Sequence, residues 1–84
     1  MSRCIQRGLI FLRFLKSRGL EAWLVGGCVR DHLMGIEPYD VDVAIDSSHE
    51  EMVSLFPGIS FRGREGERSY YLLHKNHVFD IVLL

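Results

Sequence analysis

The chain has 84 residues, a formal net charge of −1, 48% hydrophobic residues and 25% charged residues. That length holds one domain and excludes a second core, and the composition excludes a disordered chain. The apolar run of residues 8–15 is interrupted by Arg13 and followed by no small-residue cleavage pattern, so neither a bilayer span nor a cleaved leader is expected.

Residues 3–18 read as an amphipathic helix, with Ile5, Leu9 and Leu12 at i, i+4, i+7 and Ile10, Phe11, Phe14 and Leu15 widening the apolar face. Arg3, Gln6, Arg7, Arg13, Lys16 and Ser17 fill the other side. A basic amphipathic helix can lie on a membrane, but a folded domain follows directly, and packing onto a core is the expectation. Residues 22–25 form a short continuous apolar run, a buried strand in which Trp23 is expected to join the core. Gly26-Gly27 ends it, and residues 29–34 follow as a short helix stopped by Gly35. Pro38 and Tyr39 turn the chain into a second strand over residues 41–45. Ser48 and Glu51 form a capping box that opens a helix to about residue 56, which Pro57-Gly58 stops. Residues 57–68 are turn-rich. Residues 69–74 and 77–83 are β-rich runs joined by Lys75-Asn76 as a hairpin. The order predicts a small α/β (α+β) domain, a mixed sheet with helices packed on it.

Charge is unevenly spread. Residues 1–30 hold six basic groups against one acid, a balance of +5, and residues 31–84 hold four against ten, a balance of −6. A basic flank beside an acidic centre suits a site that takes a cation, although two solvated faces explain it as simply.

Three sets of residues could carry chemistry. Asp40 and Asp42 alternate with Val41, which on a strand puts both carboxylates on one side with α-carbons about 6.6 Å apart. Two carboxylates so placed repel unless a cation sits between them, and Mg²⁺ is the natural one because it takes hard oxygen ligands and substrate phosphates. A solvated strand edge is the plainer reading of such a pair alone. Gly26 and Gly27, between a strand and a helix, let the backbone approach a ligand, and Arg30 one turn on offers two parallel hydrogen bonds to a phosphate. A tight turn alone also needs two glycines. Asp80 interrupts the apolar run 78–84, and a carboxylate placed there needs either a partner or solvent. Together the three make the parts of a metal-dependent phosphoryl or nucleotidyl transferase. The remaining polar residues carry less. His74 and His77 form an H-x-x-H pair with no third ligand nearby, so no zinc site is expected. His32 and His49 have no evident partner, Cys28 reads as a small buried residue, and Tyr70 and Tyr71 face opposite ways. Cys4 and Cys28 have no disulfide-framework spacing, which fits a reducing, cytoplasmic setting.

The run Leu24-Val25-Gly26-Gly27-Cys28-Val29-Arg30-Asp31, then Leu33-Met34-Gly35, then Asp40-Val41-Asp42-Val43-Ala44, closely resembles the signature of the head domain of class II tRNA nucleotidyltransferases (CCA-adding enzymes) and bacterial poly(A) polymerases. The likeness runs over nearly the whole chain. It implies a nucleotidyltransferase (polymerase β-like) fold and Mg²⁺-dependent transfer of AMP or CMP from ATP or CTP to an RNA (tRNA) 3′ hydroxyl. It implies Asp40 and Asp42 as magnesium ligands, Gly26, Gly27 and Arg30 as triphosphate contacts, and Asp80 as the third acidic position, assisting deprotonation of the 3′ hydroxyl. It also implies that residues 1–84 are a truncated head, with neck, body and tail domains absent, so a complementing chain that supplies them is an expected partner and a membrane is not. Two other readings stay open. One is a non-catalytic fragment that binds a nucleotide or a partner chain, suggested by the apolar end Val82-Leu83-Leu84. The other is a minimal nucleotidyltransferase acting on a non-RNA acceptor, a group that carries Gly-Ser rather than Gly-Gly before its D-x-D.

Overall fold

The structure, a computed structural model, describes residues 3–38, 40–61, 69–74 and 77–84. Eight elements follow in chain order: helix α1 (Arg3–Ser17), strand β1 (Glu21–Val25), helix α2 (Gly27–Leu33), strand β2 (Val41–Asp46), helix α3 (His49–Leu55), and strands β3 (Ser60–Phe61), β4 (Ser69–His74) and β5 (His77–Leu83). The strands form one sheet in the order β1-β2-β5-β4-β3. β2 and β5 pair in parallel, and every other neighbouring pair is antiparallel. This is the mixed sheet with helices that the element order predicts.

Alternation along the central strands decides the two faces. Val41, Val43 and Ile45 of β2 and Phe79, Ile81 and Leu83 of β5 are buried, none more than 4% exposed. They share the face on which the helices pack. α1 buries Cys4, Ile5, Gly8, Phe11 and Leu15 there, a stripe at i, i+4, i+7 and i+11 from Cys4. That stripe is turned slightly from the one centred on Ile5, Leu9 and Leu12, and Leu9 and Leu12 are only half-buried. The helix lies close because Gly8 has no side chain, since a Cβ there would stand 2.9 Å from Leu24 Cδ2 and 3.0 Å from Val41 Cγ1. α3 adds Met52, fully buried, and its start is held by the expected capping box. The Glu51 N–H donates to Ser48 Oγ at 3.1 Å, and the Ser48 N–H donates to Glu51 Oε1 at 3.1 Å.

Two expectations need correction. Trp23 does not join the core: it is 46% exposed, because β1 is an edge strand and Trp23 points to the face without helices. His49 does have a partner, its Nδ1 lying 2.5 Å from the Tyr70 hydroxyl, which gives the buried Tyr70 ring a satisfied polar end. Tyr70 and Tyr71 do face opposite ways, at 1% and 41% exposure. The short strand β3 lies in a stretch whose composition predicts only turns. Tyr39 and the Lys75-Asn76 turn lie outside the described residues.

Candidate active site

The candidate site lies on the face away from α1 and α3, where the end of β1 and the start of β2 meet the middle of β5. The antiparallel register sets Val25, the last residue of β1, opposite Asp42 of β2. The parallel register sets Asp42 beside Asp80 of β5, and the next antiparallel pair sets Tyr71 of β4 beside Asp80. In-register partners on neighbouring strands project to the same face about 4.8 Å apart. Asp42 and Asp80, distant in sequence, therefore stand side by side, both half-buried. Asp40 is placed differently from the expectation. It lies just ahead of β2 rather than within it, exposed, so strand alternation does not set its direction.

The turn after β1 is fastened to Asp42 itself. Gly26 has φ +71° and ψ −148°, a conformation almost reserved for glycine. It lets the chain fold back so that α2 starts over β2. Cys28, 2% exposed, is the fastener. Its thiol donates to the Val25 carbonyl at 3.1 Å and accepts the Asp42 N–H at 3.4 Å, while its own N–H donates to Asp42 Oδ2 at 3.4 Å. One residue thus holds both the backbone and the carboxylate of Asp42. Reading Cys28 as a small buried side chain finds its burial but misses these bonds, since no sequence pattern marks a thiol that bonds across to the next strand.

The closeness makes Gly26 sensitive. A Cβ at this position would sit 3.2 Å from Asp42 Oδ2. Gly26→Ala therefore adds backbone strain of about 1–3 kcal/mol and pushes the Asp42 carboxylate away. Urea unfolding should show a stability loss of that size, and a loss under about 0.5 kcal/mol, the scatter of ordinary surface changes, would contradict the geometry.

Arg30 leans back over the turn. A Cβ on Gly27 would stand 3.4 Å from Arg30 Nη2, and the guanidinium, with the side chain 71% exposed, meets Asp31 Oδ1 at 3.3 Å. An exposed pair of this kind is worth about 0–1 kcal/mol, so a phosphate can displace Asp31 at little cost. The other thiol, Cys4, lies at the start of α1, where its N–H donates to Glu37 Oε1 at 3.2 Å. Burial pushes the Cys4 thiol up, the Glu37 carboxylate adds to that, and the sulfur stays protonated.

The donor set fits a hard cation. Among the described residues no three His, Cys, Asp or Glu side chains gather into one cluster, and the carboxylates that the strand register brings together are those of Asp42 and Asp80. Mg²⁺ commonly takes one or two carboxylates and completes its shell with water and phosphate oxygens, which this set allows. The expected H-x-x-H histidines lie elsewhere, at the end of β4 and the start of β5.

Comparison with known proteins agrees with this geometry. The Poly A polymerase head domain family matches residues 22–82. The chain is 46% identical over 76 residues to a CCA-adding enzyme of Streptococcus mutans, covering 90% of this chain and 19% of that protein. It is 44% identical over 57 residues to a CC-adding tRNA nucleotidyltransferase of Halalkalibacterium halodurans, covering 68% of this chain and 15% of that protein. The crystal structure of a Bacillus stearothermophilus CCA-adding enzyme in complex with CTP superposes with a TM-score of 0.83 at 30% identity, covering 98% of this chain and 20% of that one. The chain thus spans no more than a fifth of the length of these relatives.

Proposed function

The chain belongs to the poly(A) polymerase head-domain family, and from that premise we propose that it is the nucleotide-binding and catalytic head of an RNA nucleotidyltransferase. Asp40 and Asp42 hold Mg²⁺, while Gly26, Gly27 and Arg30 receive the triphosphate of ATP or CTP. Asp80 takes up the proton of the attacking 3′ hydroxyl. When bound, the metal supplies charge neutralisation for the transferring phosphoryl group and the leaving pyrophosphate. The chain's own work is positional. The Gly26 turn brings backbone to the phosphates, Arg30 exchanges Asp31 for a phosphate oxygen, and Cys28 keeps the Asp42 carboxylate aimed.

The observation that carries this reading is the register of Asp42 beside Asp80 with the Gly26 turn bonded onto Asp42. The acceptor belongs to the same reading: an RNA 3′ end, with tRNA as the acceptor in the complete enzyme, in a cytoplasmic setting that suits two cysteines outside any disulfide. No helix among the described residues is long and apolar enough to cross a membrane.

The test is a titration followed by amide NMR. Mg²⁺ followed by ATP or CTP should shift the amides of residues 26–30, 40–42 and 80 in the 84-residue chain. Unmoved amides at saturating Mg²⁺-ATP would overturn the reading.

One observation favours a second reading, in which the chain binds a nucleotide without turnover and needs a partner chain. Beyond the start of α2, the sheet face that carries the site leaves Trp23, Tyr71, Leu73 and Val82 40–65% exposed. Such a face suits a complementing chain that supplies the remaining domains. Labelled ATP and an RNA acceptor, offered to the chain alone, separate the two: extension supports turnover, and nucleotide binding without extension supports the partner-dependent form.

A further inference from the structure

The other face of the domain carries a site that the transfer reading does not use. Along α1, Arg3, Arg7, Ile10 and Phe14 fall at i, i+4, i+7 and i+11, and Arg18 continues the line one turn later. No acidic residue occurs between positions 3 and 18, which hold five basic ones. Arg3, Arg7 and Arg18 are exposed, and the Arg18 guanidinium lies 5.5 Å from the centre of the Phe14 ring. Midway along this stripe a cavity of about 310 Å³ opens. Its floor is the Phe11–Phe79 pair, stacked with centroids 4.3 Å apart. One wall is Phe14 with the His74 ring parallel to it, 5.6 Å between centroids and 4° between planes. Arg7, Ile10 and His77 form the rim.

We propose that this cavity takes one unpaired nucleobase of a single-stranded nucleic acid whose phosphates run along Arg3, Arg7 and Arg18. Flat aromatic walls suit a flat aromatic guest. The volume is at the lower end of the range of about 300–1,000 Å³ for ligand pockets, which limits the guest to about one nucleoside. A basic track beside stacking rings is how single strands are gripped without sequence preference. Charge decides the position of the grip. Arg18 shares a second cleft with Glu50 and Glu51, which offset its charge, so Arg7 at the cavity rim is the main phosphate contact.

A membrane surface is the rival for a basic helix, and the burial pattern disfavours it. The apolar stripe of α1 faces the sheet, and Ile10, at 59%, is the only widely exposed large apolar side chain on the helix. This cavity also lies apart from the carboxylates. Phe79 and Asp80 are neighbours on β5 and point to opposite faces, so a base against Phe79 does not touch the carboxylates.

The test is fluorescence anisotropy of a short labelled oligoadenylate with the 84-residue chain, without divalent cations and over a range of salt. Arg7→Gln should weaken binding and lower the slope of log K against log salt by about 0.7, the share of one single-strand phosphate contact. Phe14→Leu keeps apolar volume but removes the ring, and should weaken binding about fivefold or more, the low end of the loss of one stacked base. An abasic oligonucleotide of the same length should bind more weakly to the unaltered chain and not distinguish it from Phe14→Leu. Equal binding of abasic and base-bearing strands would overturn the proposal, as would an unchanged salt slope for Arg7→Gln. Binding to phosphatidylserine vesicles without binding to the oligonucleotide would reassign the stripe to a membrane. Failure of the Mg²⁺-ATP shifts with oligonucleotide binding intact would sink the transfer reading alone.

Discussion

Under the proposed function, replacing Asp42 with Asn should lower nucleotidyl transfer to an RNA 3′ hydroxyl, in an active enzyme carrying this head, by at least about 10²–10³-fold, the cost of losing one transition-state stabiliser. The substitution is chosen because it separates charge from shape. Asn keeps a side-chain oxygen that can still accept the Cys28 N–H, now made by Asp42 Oδ2 at 3.4 Å. The thiol bonds of Cys28 run to the backbone of Val25 and Asp42 and are unaffected. What disappears is the negative charge beside Asp80. A binding readout follows from the same loss: a cation that binds only the folded form stabilises it by mass action, about 2.7 kcal/mol at one hundred times its dissociation constant. Mg²⁺ should therefore raise the melting temperature of the unaltered chain and leave that of Asp42→Asn unmoved. Equal Mg²⁺ stabilisation of both would remove Asp42 from the metal site.

What could be seen of this site in the sequence divides along a physical line. Local signals worked. Alternation in residues 41–45 set Asp42 on the side opposite Val41, and the Ser48–Glu51 capping box placed the start of α3, while Asp80 stood out only as a carboxylate inside an apolar run, with its face left open. These depend on neighbours within one turn or one strand. Pairings across the sheet were not legible. Nothing in the chain order says that β5 inserts between β2 and β4 and sets Asp80 beside Asp42, because register is chosen by the whole buried face. The same limit explains Trp23. Its apolar run suggests a buried strand, but β1 is an edge, and the side chain's face is set by what packs there. Cys28 escaped for a third reason. A thiol is a weak hydrogen-bonding group with no preferred spacing, so its bonds to the Val25 and Asp42 backbones, and the bond from the Cys28 N–H to the Asp42 carboxylate, appear only when the β1–α2 turn is folded.

Phe11→Ala should be the most damaging single change to stability. Phe11 is 2% exposed and stacks on Phe79 at 4.3 Å, with Phe56 at 5.8 Å and His74 at 5.6 Å from its centroid. It therefore joins α1 to β5, to the end of α3 and to β4 at once. Phe-to-Ala changes in cores cost about 3–5 kcal/mol. The cavity of about 310 Å³ beside Phe11 lets water reach the vacated space, which places the expected cost near the lower end. A domain of this size has a total stability of about 4–13 kcal/mol at 0.05–0.15 kcal/mol per residue. Even the smaller loss removes a large share of it, and the melting temperature should fall by about 12 °C or more. Ile10→Ala, on the same helix but 59% exposed, should change stability by less than about 0.5 kcal/mol. The effect reaches the candidate site through β5, where Asp80 is next to Phe79. Without Phe11 the strand loses its hold on α1, and the Mg²⁺-dependent shifts at Asp80 should weaken before those at Gly26. Phe11→Leu restores part of the contact and should recover most of the stability. If Phe11→Ala melts within a few degrees of the unaltered chain, the ring cluster is not what joins α1 to the sheet.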